Sequence, residues 1–126
     1  MLSRPLACVI AIVGMAACSL PASAQEVLGK SDATALISGN TVHFKNLSNG
    51  QTGRAYHAKS GQILFDRDDG ATFSGLWSVQ ANGKRCVIVS NELCGQIRKN
   101  ADGTYTWLGD AGDTVQWTRI TPGKAF

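Results

Sequence analysis

Residues 71–99 read ATFSGLWSVQANGKRCVIVSNELCGQIRK, and this stretch decides the fold. Its first part places Phe73, Gly75, Trp77 and Val79 at alternate positions. Side chains on a strand alternate between two faces, so these four share one face, which we expect to be the core face. Ala81-Asn82-Gly83 is a turn signal. Arg85–Ser90 and Leu93–Arg98 are two further β-rich runs, joined by Asn91-Glu92 as a tight connection. Cys86 and Cys94 lie on the two arms of that hairpin. They bridge it if the register brings their Cβ atoms together.

The same grammar extends in both directions. Upstream, Thr41–Leu47, Gly53–Ala58 and Gln62–Asp66 read as strands. Ser48-Asn49-Gly50, Lys59-Ser60-Gly61 and Arg67-Asp68-Asp69-Gly70 read as the turns between them. Downstream, Thr104–Leu108 sets Tyr105 and Trp107 on one face, and Asp113–Thr121 does the same with Val115 and Trp117. Lys99–Gly103 and Gly109–Gly112 are turns. Before the strands, Ser31-Asp32 offers an N-cap to Ala33-Thr34-Ala35-Leu36-Ile37, with Gly39-Asn40 as the stop, and Gln25–Lys30 reads as a frayed start.

The count is seven or eight short strands, about ten residues apart, with no long helix to make parallel crossovers. Short loops in series favour a meander, and closing the meander removes two exposed edges. The expected class is therefore all-β: a small antiparallel up-and-down barrel with one short N-terminal helix. A two-sheet sandwich is the alternative.

Met1–Ala24 reads as an export signal: Arg4, an apolar run from Leu6 to Ala17, and Ala22-Ser23-Ala24 as an A-x-A cleavage site. Residues 25–126 then form one domain, periplasmic or secreted. Met15-Ala16-Ala17-Cys18 is an imperfect lipoprotein box, and lipidation at Cys18 would tether the protein to a membrane. Of four cysteines, Cys8 and Cys18 fall in the signal, which leaves Cys86 and Cys94 as a pair. An even pair in a small exported domain reads as a disulfide. A redox-active dithiol is the alternative, although such centres favour C-x-x-C at a helix start. Residues 25–126 carry 11 Lys+Arg and 9 Asp+Glu, a net +2, with no basic run. Nucleic-acid binding needs clustered positive charge, so that class is set aside.

The motifs Ser38-Gly39-Asn40-Thr41-Val42, Ala55-Tyr56-His57-Ala58, Ser74-Gly75-Leu76-Trp77-Ser78-Val79, Arg85-Cys86, Leu93-Cys94 and Asp102-Gly103-Thr104-Tyr105 follow in that order. Their order and spacing resemble a family of small exported proteobacterial proteins classed as domains of unknown function. The resemblance spans nearly all of residues 25–126. It departs at Lys59-Ser60, where the family favours an acidic turn residue. It implies a periplasmic, lipocalin-like β-barrel with a paired-cysteine hairpin, and no activity.

The residues offer little for catalysis. His43 and His57 are the two histidines, both on β-like runs, and zinc needs three or four ligands. We read them as polar residues on sheet faces. Asp66, Asp68, Asp69 and Gly70 miss the calcium-loop spacing and read as a turn. Glu92 and Asp113 are paired carboxylates by type only. No G-x-S-x-G elbow singles out a serine. We expect no enzyme, no metal and no cofactor.

Two binding roles remain. The first is a non-catalytic, monomeric accessory domain that engages an envelope protein through Asn91-Glu92 at the disulfide hairpin tip. The alternative is a carrier of a small hydrophobic ligand, with Trp77, Tyr105, Trp107 and Trp117 at a barrel mouth. A hydrolytic enzyme is a more remote third.

Overall fold

In the computed structural model, which describes residues 26–126, the meander closes on itself. The elements are β1 (Glu26–Val27), α1 (Lys30–Ile37), β2 (Asn40–Asn46), β3 (Thr52–His57) and β4 (Gln62–Arg67). They continue as β5 (Thr72–Val79), β6 (Arg85–Ile88), β7 (Glu92–Lys99), β8 (Tyr105–Gly109) and β9 (Thr114–Pro122). Each strand from β2 to β9 pairs antiparallel with the next, and β9 returns to β2. The ring is an eight-stranded up-and-down barrel, as expected, and not a sandwich. The export signal assigned to Met1–Ala24, with Cys8, Cys18 and the cleavage site, lies outside the described residues.

The alternation behaves as the sequence requires. Trp77 is opposite Val87, Trp107 is opposite Val115, and Tyr105 is opposite Trp117. Directly opposed residues share a face, so these side chains meet inside. Strong coiling of β5 and β7 needs glycine at two close approaches. A Cβ on Gly75 would sit 2.1 Å from the Ile88 carbonyl oxygen, and one on Gly95 2.4 Å from that of Leu108. Neither site accommodates a side chain without moving backbone.

The two ends of the barrel differ. The turns β3–β4, β5–β6 and β7–β8 lie at the end where α1 packs, contacting β2 and β5. There Leu28, Ala33, Ile37, Val42 and Ile97 join the two tryptophans Trp107 and Trp117 in the core. Burying a side chain such as Ile37, at 0% exposure, is worth about 1.5–3 kcal/mol, so α1 is held as a plug by its apolar face. The turns β2–β3, β4–β5, β6–β7 and β8–β9 surround the opposite end. Among the described residues no helix covers that end.

The structure departs from the expected elements at three places. Within the expected frayed start at 25–30, the described residues are anchored: Glu26 and Val27 pair with Lys99 and Arg98, and Leu28 N–H donates to Ile97 O at 2.9 Å. That anchoring is backbone pairing, which leaves no hydrophobic period to read. Helix α1 begins at Lys30 with Gly29 as N-cap and no side-chain cap, so Ser31 and Asp32 lie inside its first turn. The β6–β7 connection is Val89-Ser90-Asn91, because Glu92 is already paired with Ile88.

Candidate functional site

The disulfide is the simplest local feature. Cys86 and Cys94 are direct cross-strand partners, with Cα atoms 4.0 Å apart, and are joined. They lie on the outer face of the sheet, because their neighbours Arg85 and Val87 line the interior, and Cys86 is nonetheless buried there. The Glu92 carboxylate and both sulfurs lie within 4.8 Å of one another. Bonded sulfurs offer no thiolate, so this cluster is not a metal site while the bridge stands.

The open end of the barrel leads into a cavity of about 350 Å³. One wall is aromatic: Phe44 meets Phe65 edge-on at 6.3 Å, and Phe65 stacks on Phe73 at 4.8 Å. Val42, Ala55, Val87, Val89, Leu93 and Val115 add to the apolar lining. The rim carries Asn46, Gln51, Arg67, Ser90 and Asp113. A concave apolar space with few polar groups is the ordinary form of a small-molecule site.

Of the four aromatics expected at the mouth, Trp107 and Trp117 line the cavity, below the rim. Trp77 and Tyr105 do not. Trp77 Nε1 donates to Ala58 O at 2.8 Å, beside the β3–β4 turn of the plugged end. Tyr105 packs with Leu28 and Leu36 near α1. Strand position decides this split: Trp77 and Tyr105 point inward, but nearer the plugged end. The wall residues Phe44 and Phe65 were missed, since neither stands in an alternation long enough to assign its face.

The cavity floor holds a buried charge, Arg85. Arg85 is 6% exposed and lines the cavity between Trp107 and Trp117, its Cζ 5.5 Å and 5.3 Å from their ring centroids. Trp107 Nε1 donates to the Arg85 carbonyl at 3.2 Å, which locks that ring in place. Arg85 Nε donates to His57 Nε2 at 3.2 Å, and Nη2 lies 3.0 Å from the same nitrogen. Among the described residues no carboxylate pairs with Arg85. Burial alone pushes its pKa down, to about 9, so the guanidinium remains charged at neutral pH.

His57 is fully buried. Burial, and then the Arg85 charge, hold its pKa well below the ordinary value. The neutral ring accepts from Arg85 at Nε2, which puts its proton on Nδ1. That Nδ1 faces the backbone of Ala55 and Asn40 without closing a well-formed hydrogen bond. His57 is thus an interior partner of a cation, not a polar residue on an open sheet face. His43 faces the other way, its Nε2 3.1 Å from Thr121 Oγ1. The two histidines do not meet.

The remaining candidates have local partners. Asp66 pairs with Arg54, Asp68 accepts from Thr52 Oγ1, and Asp69 binds Arg67 and the Ala71 N–H. These acids hold the β3–β4–β5 edge and its turn. Glu92 and Asp113 both line a small hollow on the rim beside Cys94. Asn91 and Glu92 are exposed.

A clue to Arg85 was present in the sequence. If Cys86 and Cys94 share the outer face, Arg85 and Val87 must share the inner one. A charge at an inner position is the kind of local inconsistency that marks a functional site. Comparisons with protein-family models, curated proteins and solved structures return no match.

Proposed function

We propose that this protein binds a small apolar or amphipathic ligand inside its barrel. The observation that carries the reading is the cavity of about 350 Å³, largely apolar on its walls. Such volumes suit a ligand of modest size. The role is binding rather than catalysis: the His57 lone pair is engaged by Arg85, which leaves the imidazole no free nitrogen to act as a base. The ligand-carrier alternative therefore becomes the leading reading.

The disulfide supports an oxidising compartment. We extend this to export through Met1–Ala24, with cleavage after Ala24 and a periplasmic location, and with Cys18 lipidation as the tethered variant. The resemblance to small exported proteobacterial proteins, and to a lipocalin-like barrel, belongs to the same proposal.

The test is titration with N-phenylnaphthylamine, a neutral probe that brightens in apolar surroundings. The protein binds it saturably at one site, and Val115→Trp, which fills the cavity from its wall, abolishes binding while the circular dichroism stays unchanged. Absence of saturable binding by the unmodified protein overturns the reading.

A second reading has its own observation. Leu76 and Ile88 are cross-strand partners, 58% and 44% exposed on the outer face beside the disulfide. With Val89, Asn91 and Glu92 they form a rigid, partly apolar hairpin end suited to a protein partner in the envelope. Changing Leu76 and Ile88 to Ser, or Asn91 and Glu92 to Gly, removes co-purification of that partner and spares probe binding. Retained co-purification in both variants ends this reading.

A further inference from the structure

The cavity floor says more than that something apolar fits. A guanidinium has five N–H donors in a planar array. The Nε–H and one Nη2–H face His57 Nε2. The other edge, one N–H from Nη1 and one from Nη2, forms a second parallel fork, and no hydrogen bond engages it among the described residues. This fork belongs to a side chain that lines the cavity and is held by Trp107, Trp117 and His57. A charge buried without a counter-ion is costly, and neutral indole faces and a neutral imidazole offset only part of that cost.

We propose that Arg85 is the head-group reader of this site, and that the ligand is an amphipathic molecule with a single carboxylate. The proposal rests on the reading of the barrel as a ligand cavity. The carboxylate lies on the free fork of Arg85, between Trp107 and Trp117, and the apolar tail runs past Phe44, Phe65 and Val115 to the mouth. A cationic ligand is excluded by the charge already on the floor. A phosphate monoester, at about −1.5 to −2 near neutral pH, exceeds the single positive charge offered there. A carboxylate matches it in both charge and planar geometry. His57 is a positioning residue: it occupies the inner edge of the guanidinium and so turns the outer edge toward the ligand.

The experiment compares head groups on one tail by calorimetric titration at neutral pH, using decanoate, decanol, methyl decanoate and decyl phosphate. The unmodified protein binds decanoate at least about tenfold more tightly than decanol or the ester, the loss expected when a charge-assisted pair is removed. Arg85→Met keeps the length and loses the charge. It brings decanoate and decanol within about twofold of each other while retaining decanol. If that variant does not fold, Arg85→Lys keeps the charge without the fork and shows a reduced preference for decanoate. Equal binding of decanoate and decanol by the unmodified protein overturns the head-group assignment and leaves the cavity reading intact. Tighter binding of decyl phosphate overturns the choice of carboxylate. Failure to bind any of the four while the neutral probe still binds also defeats the head-group assignment. Failure of the probe as well defeats the cavity reading itself.

Discussion

Arg85 and His57 form a polar pair in an otherwise apolar interior, and their protonation sets a pH dependence. An unfolded histidine takes up a proton near pH 6.5, whereas burial and Arg85 hold folded His57 neutral well below that. The unfolded state therefore binds more protons as the pH drops below 6.5, and stability falls with it. Urea unfolding between about pH 7 and pH 5 will show a loss approaching 1.4 kcal/mol per pH unit from this group. His57→Gln keeps an acceptor for Arg85 and removes that part of the slope. An unchanged slope in the variant contradicts the assignment. The inward position of Arg85 is legible from its place beside Cys86, but its pairing with His57 is not. By type alone Arg85 is one of several scattered cations, and His57 a polar residue on a sheet face. Their meaning depends on β3 and β6 pointing at each other across the barrel, which no local spacing encodes.

Among the elements, β5, β6 and β7 were the most legible. Phe73, Gly75, Trp77 and Val79 gave the inward face directly, and the turn glycines marked the strand ends. The hairpin tip was misplaced because Glu92 fits a turn or an edge strand equally well by type, and pairing with Ile88 decides the matter. Two substitutions test this region. Gly75→Ala drives a methyl into the Ile88 carbonyl and costs about 1–3 kcal/mol by chemical denaturation. Ser74→Ala, exposed on the outer face, stays within about 0.5 kcal/mol of the parent. Equal effects from the two would mean that β5 is not coiled this tightly. Replacing Cys86 and Cys94 together by Ser removes a short-loop cross-link and lowers stability by about 2.5 kcal/mol on the chain-entropy estimate. The bridge lies on the outer face of the sheet, so probe binding in the cavity persists in folded protein. Loss of that binding at full folding would tie the bridge to the site.

At the scale of the whole molecule, the barrel followed from counting short strands and short turns and from the need to close an edge. The cavity did not. Whether an eight-stranded barrel is filled or hollow depends on the summed volume of side chains from every strand. Here the large rings divide between levels: Trp77 and Tyr105 pack toward the plug, while Phe44, Phe65 and Phe73 line one wall and leave space. The helix packs at one end, and Arg85 lies on the floor of the cavity that opens at the other. The most direct measurement is a nuclear magnetic resonance titration with decanoate that follows the three indole N–H signals. The Trp107 and Trp117 signals shift saturably together, while that of Trp77, bonded to Ala58 on the plugged side, moves little. Movement confined to residues on the outer face, or no saturable shift at Trp107 and Trp117, contradicts an interior binding site.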